Sequence, residues 1–97
     1  GDALTLSRAL RNAAIPLRTS GDIDSAFSVL HEAFEIAASQ RLASSAANSA
    51  DVLATVNLNI GEIAQARHWY RIAVEWAQAA DEPPLTTSIE IVGVRLA

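Results

Sequence analysis

The sequence predicts an all-α chain built from antiparallel helical hairpins, and three observations carry that prediction. Gly21-Asp-Ile-Asp-Ser-Ala26 returns forty residues later as Gly61-Glu-Ile-Ala-Gln-Ala66. Between residues 21–37 and 61–77, six of seventeen aligned positions are identical, and acid faces acid at Asp22 and Glu62. A self-match at a fixed period of about 20–50 residues is the mark of a repeat protein. Apolar residues also recur at the three- and four-residue spacing of a helix along most of the chain. Finally, 51% of the residues are hydrophobic and 19% charged, a globular and not a disordered balance.

The first helix is expected over about Ala3 to Thr19, with Asp2 or Thr5 as its N-cap. Leu6, Leu10, Ala13, Ala14 and Leu17 make its apolar face. Pro16 lies inside it, removes the hydrogen bond to the Asn12 carbonyl and predicts a kink. Ser20-Gly21-Asp22 is a stop followed by a start, because glycine closes a helix in the left-handed conformation and aspartate caps the next one. The second helix follows over about Ile23 to Ser39, with Ile23, Ala26, Phe27, Leu30, Ala33, Phe34 and Ala37 as its stripe. The third, about Leu42 to Asn59, is apolar most of the way round, which predicts burial between neighbours.

Gly61-Glu62 repeats the stop-start signal. The fourth helix is expected over about Ile63 to Ala79, with Ile63, Ala66, Tyr70, Ala73, Val74 and Ala77 facing inward. Pro83-Pro84 breaks it. A fifth helix is expected over about Leu85 to Leu96, weakened by Thr86, Thr87 and Gly93.

Ninety-seven residues form one small domain with a modest core. Cysteine is absent, which excludes disulfides and thiolate chemistry and suits a cytoplasmic protein. No apolar run approaches the roughly 18 residues of a membrane helix, and no signal peptide is visible. The start at Gly1-Asp2, without methionine, reads as a trimmed chain or an excerpt of a longer one. The net charge of −4 argues against nucleic acid as the main partner. Charge is unevenly spread: residues 1–20 carry three arginines and one aspartate, and the rest carry four arginines and ten acids. Lysine is absent.

The helix, Gly-acid turn and second helix with small residues at fixed spacing resemble the tetratricopeptide repeat. The residues that match are Gly-acid-Ile-x-x-Ala at 21–26 and 61–66, the small Ala33 and Ala73 seven positions on, the large Leu30 and Tyr70 between them, and the small Ala14 and Ala54 in the preceding helices. Leu10 and Ala50 stand where that family commonly has tryptophan. The period of forty exceeds the family's usual 34 or so. The resemblance implies two full repeats, about 7–46 and 47–86, and a partial third helix over 87–97. It also implies an α-solenoid that acts as a protein–protein interaction module and holds a peptide or protein in its concave groove.

The same resemblance places Arg8, Arg11, Ile15 and Arg18 of the first helix, and Asn48, Asp51, Thr55 and Asn59 of the third, along that groove. Ser88, Ile91 and Arg95 would extend it. An arginine row beside amides and hydroxyls suits an acidic peptide, since guanidinium pairs with carboxylate in two parallel bonds. The plainer alternative is a solvated helix face. Trp69, Ile72 and Trp76 form a second stripe on the fourth helix. They are either core, covered by the fifth helix, or a self-association patch that makes a homo-oligomer. His31-Glu32 lacks the second histidine of a metalloprotease helix, and neither His31 nor His68 has a ligand partner at metal spacing. No phosphate loop or nucleophile elbow is present, so no enzyme activity, metal or cofactor is expected. Besides a binding module, the sequence admits a sensory or regulatory segment of a larger bacterial signalling or transcription protein.

Overall fold

The computed structural model describes residues 2–80, which form four helices: α1 (Ala3–Ser20), α2 (Ile23–Ser39), α3 (Ala43–Asn59) and α4 (Ile63–Ala80). No strand occurs among the described residues. The expected fifth helix, the partial third repeat and the groove positions Ser88, Ile91 and Arg95 lie outside them. The helix ends agree with the sequence reading to within a residue. Asp2 is the N-cap of α1: its carboxylate accepts from the Thr5 amide at 2.7 Å and the Thr5 hydroxyl at 3.1 Å. α1 continues through Pro16 to Ser20.

The three turns share one construction. Gly21 donates to the Arg18 carbonyl and Asp22 to the Leu17 carbonyl; Gly61 donates to Leu58 and Glu62 to Asn57. Between them, Arg41 donates to Ala38 and Leu42 to Ala37 in the same pattern. Each is a Schellman closure, with the first residue of the pair left-handed, at φ 89° for Gly21, 55° for Arg41 and 85° for Gly61. The closures recur every twenty residues, so the forty-residue echo contains a half period that the sequence hides. Asp22 then caps α2 through the Ser25 amide, whereas Leu42 gives α3 no side-chain cap.

α1 packs on α2 and α3 on α4 as two hairpins, and α3 also lies against α2 and touches α1. The helices make a slab 35 × 31 × 18 Å, about two helix diameters thick. α1 and α3 form one layer, α2 and α4 the other. Alanine permits this close approach. Ala26, Ala33, Ala66 and Ala73, the small residues of the echo, are fully buried, with Leu30 and Leu53 as the largest enclosed side chains. α3 is buried on most sides, as its composition predicts, through Ala46, Ala47, Ala50, Leu53, Ala54 and Val56.

The apolar face expected of α1 needs correction. Leu6 is 52% exposed and Ala13 is also exposed, whereas Ser7 is fully buried. The inward line is Ser7, Leu10, Ala14 and Leu17. α1 ends the row of described helices and has neighbours on one side only, so half of its apolar stripe has nothing to pack against. The Ser7 hydroxyl lies 2.9 Å from the Ala33 carbonyl oxygen of α2, to which it donates, and 3.0 Å from the Ser45 hydroxyl of α3. Three helices therefore meet on one buried polar contact, with every hydroxyl at that point engaged.

Candidate functional site

The residues that the sequence reading sets along a groove lie on α1 and α3. The two helices run in the same direction, because their N-terminal turns share one cleft and their C-terminal turns share another. The first cleft, of about 470 Å³, is lined by Leu4 and Arg8 of α1, by Arg41 and Leu42 of the turn, and by Asn48 and the first turn of α3. The second, of about 340 Å³, is lined by Ile15, Arg18 and Thr19 of α1, by Ile23, and by Val56, Asn59 and Ile60 at the end of α3.

The eight residues proposed from the sequence are thus divided. Arg8 and Asn48 meet in the first cleft, and Ile15, Arg18 and Asn59 meet in the second. Arg11, Asp51 and Thr55 lie on the stretch between and line neither. Arg11 is half-buried. Burial first, and then the Arg8 charge one turn away, push its guanidinium below its ordinary value. It keeps its charge at neutral pH, since arginine is never deprotonated there. The Thr55 hydroxyl donates to the Asp51 carbonyl oxygen of its own helix at 3.0 Å, so its hydrogen is already committed.

The two clefts differ in chemistry. Arg8 and Arg41 bring two guanidinium groups to the first. The second holds one, that of Arg18, beside Thr19, Asn59 and the exposed apolar side chains of Ile15, at 60%, and Ile60, at 45%. An apolar side chain left in water at a concave site is a better sign of a contact surface than an exposed polar one. Arg41 was missed in the sequence because the link Gln40-Arg41-Leu42 has no glycine to mark a turn. The signal that could have found it is its position, midway between Gly21 and Gly61.

Of the stripe Trp69, Ile72 and Trp76, the first residue belongs to the core. Trp69 is buried, and its indole ring is packed edge-on against Phe34 and His31 of α2 at 5.1 Å and against His68 at 5.4 Å. α2 and α4 have no close backbone approach, and the indole bridges them through its contacts with the two α2 rings. Ile72 and Trp76 are half-buried against the same core. The forty-residue alignment could have shown this, since Trp69 stands opposite Val29, itself packed on the core. His31 and His68 are both exposed, and among the described residues no group of three His, Cys, Asp or Glu side chains could hold a metal. No helix among them is long and apolar enough to cross a membrane.

No protein-family model, curated protein or solved structure matches the chain.

Proposed function

We propose that the chain is a tetratricopeptide-like interaction module that binds a peptide or protein partner along the α1/α3 layer. One observation supports this most: residues from two different helices, far apart in sequence, line the same two clefts. Parallel helices make the α1/α3 layer a continuous surface. Its lining combines cationic, uncharged polar and apolar side chains, which suits recognition without chemistry. The helices are rigid elements fixed by buried alanine contacts, so a bound segment would meet preorganised groups and the loss of freedom on binding would fall mainly on the ligand. The cytoplasm is the compartment this reading assumes. The regulatory and homo-oligomeric alternatives gain no specific observation, and the second loses Trp69 to the core.

The test is an unbiased peptide library selected on the immobilised protein, with an Arg8→Ala/Arg11→Ala/Arg18→Ala variant as the comparison. The variant's helicity is first checked by circular dichroism. Peptides enriched by the wild type are expected to lose affinity for the variant. Equal binding by a folded variant, or no enrichment by the wild type, would remove the groove from consideration.

A further inference from the structure

We infer that the outer side of α1, with the cleft between the start of α1 and the end of α2, is a docking groove for one amphipathic α-helix of a partner protein, lying antiparallel to α1. Helical spacing puts this surface on the opposite side of α1 from Arg8 and Ile15. The inference is therefore independent of the function proposed above.

The forty-residue echo supplies the reason. It sets Thr5, Leu6, Ala9, Ala13 and Pro16 of α1 opposite Ser45, Ala46, Ser49, Leu53 and Val56 of α3. Their spacing puts the five on one side of each helix. All five are exposed on α1, Leu6 at 52%, and all five are buried on α3. The inward residues of the two helices do not differ in this way: Ala14 and its counterpart Ala54 are both buried. What differs is the neighbour. α3 has α2 packed in front of it, and among the described residues α1 has no helix there.

α2 shows what such a side receives. Ile23, at its start, shares a cleft with Val56 near the end of α3. Ala37, near its end, accepts from the amide of Leu42 just before α3. α2 therefore runs antiparallel to α3. The residues it encloses are Ala26, Leu30, Ala33 and Ala37, small side chains that let two backbones approach with one large side chain between them. A helix that lays its apolar face into a groove is an established mode of recognition. On α1 the groove ends in an apolar cleft of about 510 Å³, with Leu6 and Ala9 on one wall and Ile36 of α2 on the other. Asp2 also lines it. The last turn of an antiparallel helix would reach this point, where a basic residue offsets the carboxylate. A second copy of the chain offers no free helix of this kind among the described residues. α4 repeats the pattern at Ala66, Tyr70, Ala73 and Ala77, and its three alanines are already buried on the side of α3.

The test uses a synthetic, fluorescein-labelled peptide of residues 22–40 as the probe, and the same peptide with Ser39→Lys. Binding to the full chain is read by anisotropy. Saturable binding is expected, and Leu6→Glu or Ala13→Glu in the protein should weaken it about tenfold or more, because a carboxylate would be buried without a partner. Ala33→Glu in the peptide should do the same. Gln65→Glu, on the exposed side of α4, should leave binding unchanged. All three protein positions are exposed, so the variants should stay folded, which circular dichroism checks. The Ser39→Lys peptide should bind more tightly at low salt, and Asp2→Asn should remove that advantage. A spin label on the last residue of the peptide should broaden the Leu6 amide signal, and one on the first residue the Leu17 amide signal. Absence of binding by both peptides, binding that ignores Leu6→Glu and Ala13→Glu, or broadening in the reverse order would overturn the inference. Self-association of the full chain in sedimentation, abolished by Leu6→Glu, would assign the surface to a second copy and overturn it too.

Discussion

Replacing Arg41 by glycine should make the protein more stable, although it removes a side chain and adds freedom to the unfolded chain. Arg41 holds φ 55° in a Schellman closure whose hydrogen bonds, from Arg41 to Ala38 and from Leu42 to Ala37, are all backbone. They survive the substitution. The left-handed conformation costs a residue with a Cβ about 1–2 kcal/mol, and glycine escapes that cost. Against it stands the extra unfolded-state entropy of glycine, about 0.5–1 kcal/mol. The Arg41 side chain is exposed, so little packing is lost. The net expectation is a gain of about 0.5–1 kcal/mol, or roughly 3–6 °C in Tm for a chain of this size. The reverse change supplies the control. A Cβ at Gly21 or Gly61 would meet nothing within 4 Å, so Gly21→Ala and Gly61→Ala should lose about 1 kcal/mol through the backbone alone. Urea unfolding followed by far-ultraviolet circular dichroism measures all three, with an unchanged m value as the check that compactness is preserved. An Arg41→Gly protein no more stable than wild type, beside glycine variants that do lose stability, would mean that the Arg41 side chain itself holds the turn, and the strain argument would fail.

Three further outcomes are expected. Trp69→Ala should cost about 3 kcal/mol or more, because the buried indole packs between α2 and α4 against Phe34 and His31, whereas Trp76→Ala should cost less; equal losses in denaturant titrations would contradict the packing described. Ser49 is fully buried and its hydroxyl has no hydrogen-bond partner, so Ser49→Ala should stabilise by about 1 kcal/mol, and a clear loss of stability would reveal a partner for that hydroxyl. The Asp2 carboxyl is held below its ordinary value, first by the Thr5 amide and then by the Thr5 hydroxyl. Its capping contribution should therefore be present above the ordinary carboxylate range and lost as pH falls through the lowered value. An Asp2 carboxyl that titrates by nuclear magnetic resonance at its ordinary value, with the Thr5 amide shift unmoved, would contradict the cap.

The helices, their order and most of their ends were legible in the residues. Gly21 and Gly61 are explicit stops because only glycine occupies the left-handed closure without strain, and Asp2 and Asp22 are explicit starts because their side chains accept from free amides. The turn at Arg41 was legible only as a gap between periodic segments, since its geometry is imposed by the helices on either side. The candidate site was legible as a list and not as an arrangement. Arg8, Ile15 and Arg18 could be placed on one stripe of α1, and Asn48 and Asn59 on one stripe of α3. Their division between two clefts depends on how the two helices lie together.

Local chemistry thus determined where each helix begins, where it stops and which small residues it presents for packing, because capping, glycine φ and helical periodicity act over a few residues. Tertiary structure decided what those rules cannot reach. It turned α1 so that Ser7 faces inward and Leu6 outward, because α1 has neighbours on one side only. It placed Trp69 between α2 and α4, where the indole packs edge-on against Phe34 and His31 of α2. It brought Arg41 beside Arg8, thirty-three residues earlier in the chain, because parallel packing of α1 and α3 sets the turn before α3 against the first turns of α1.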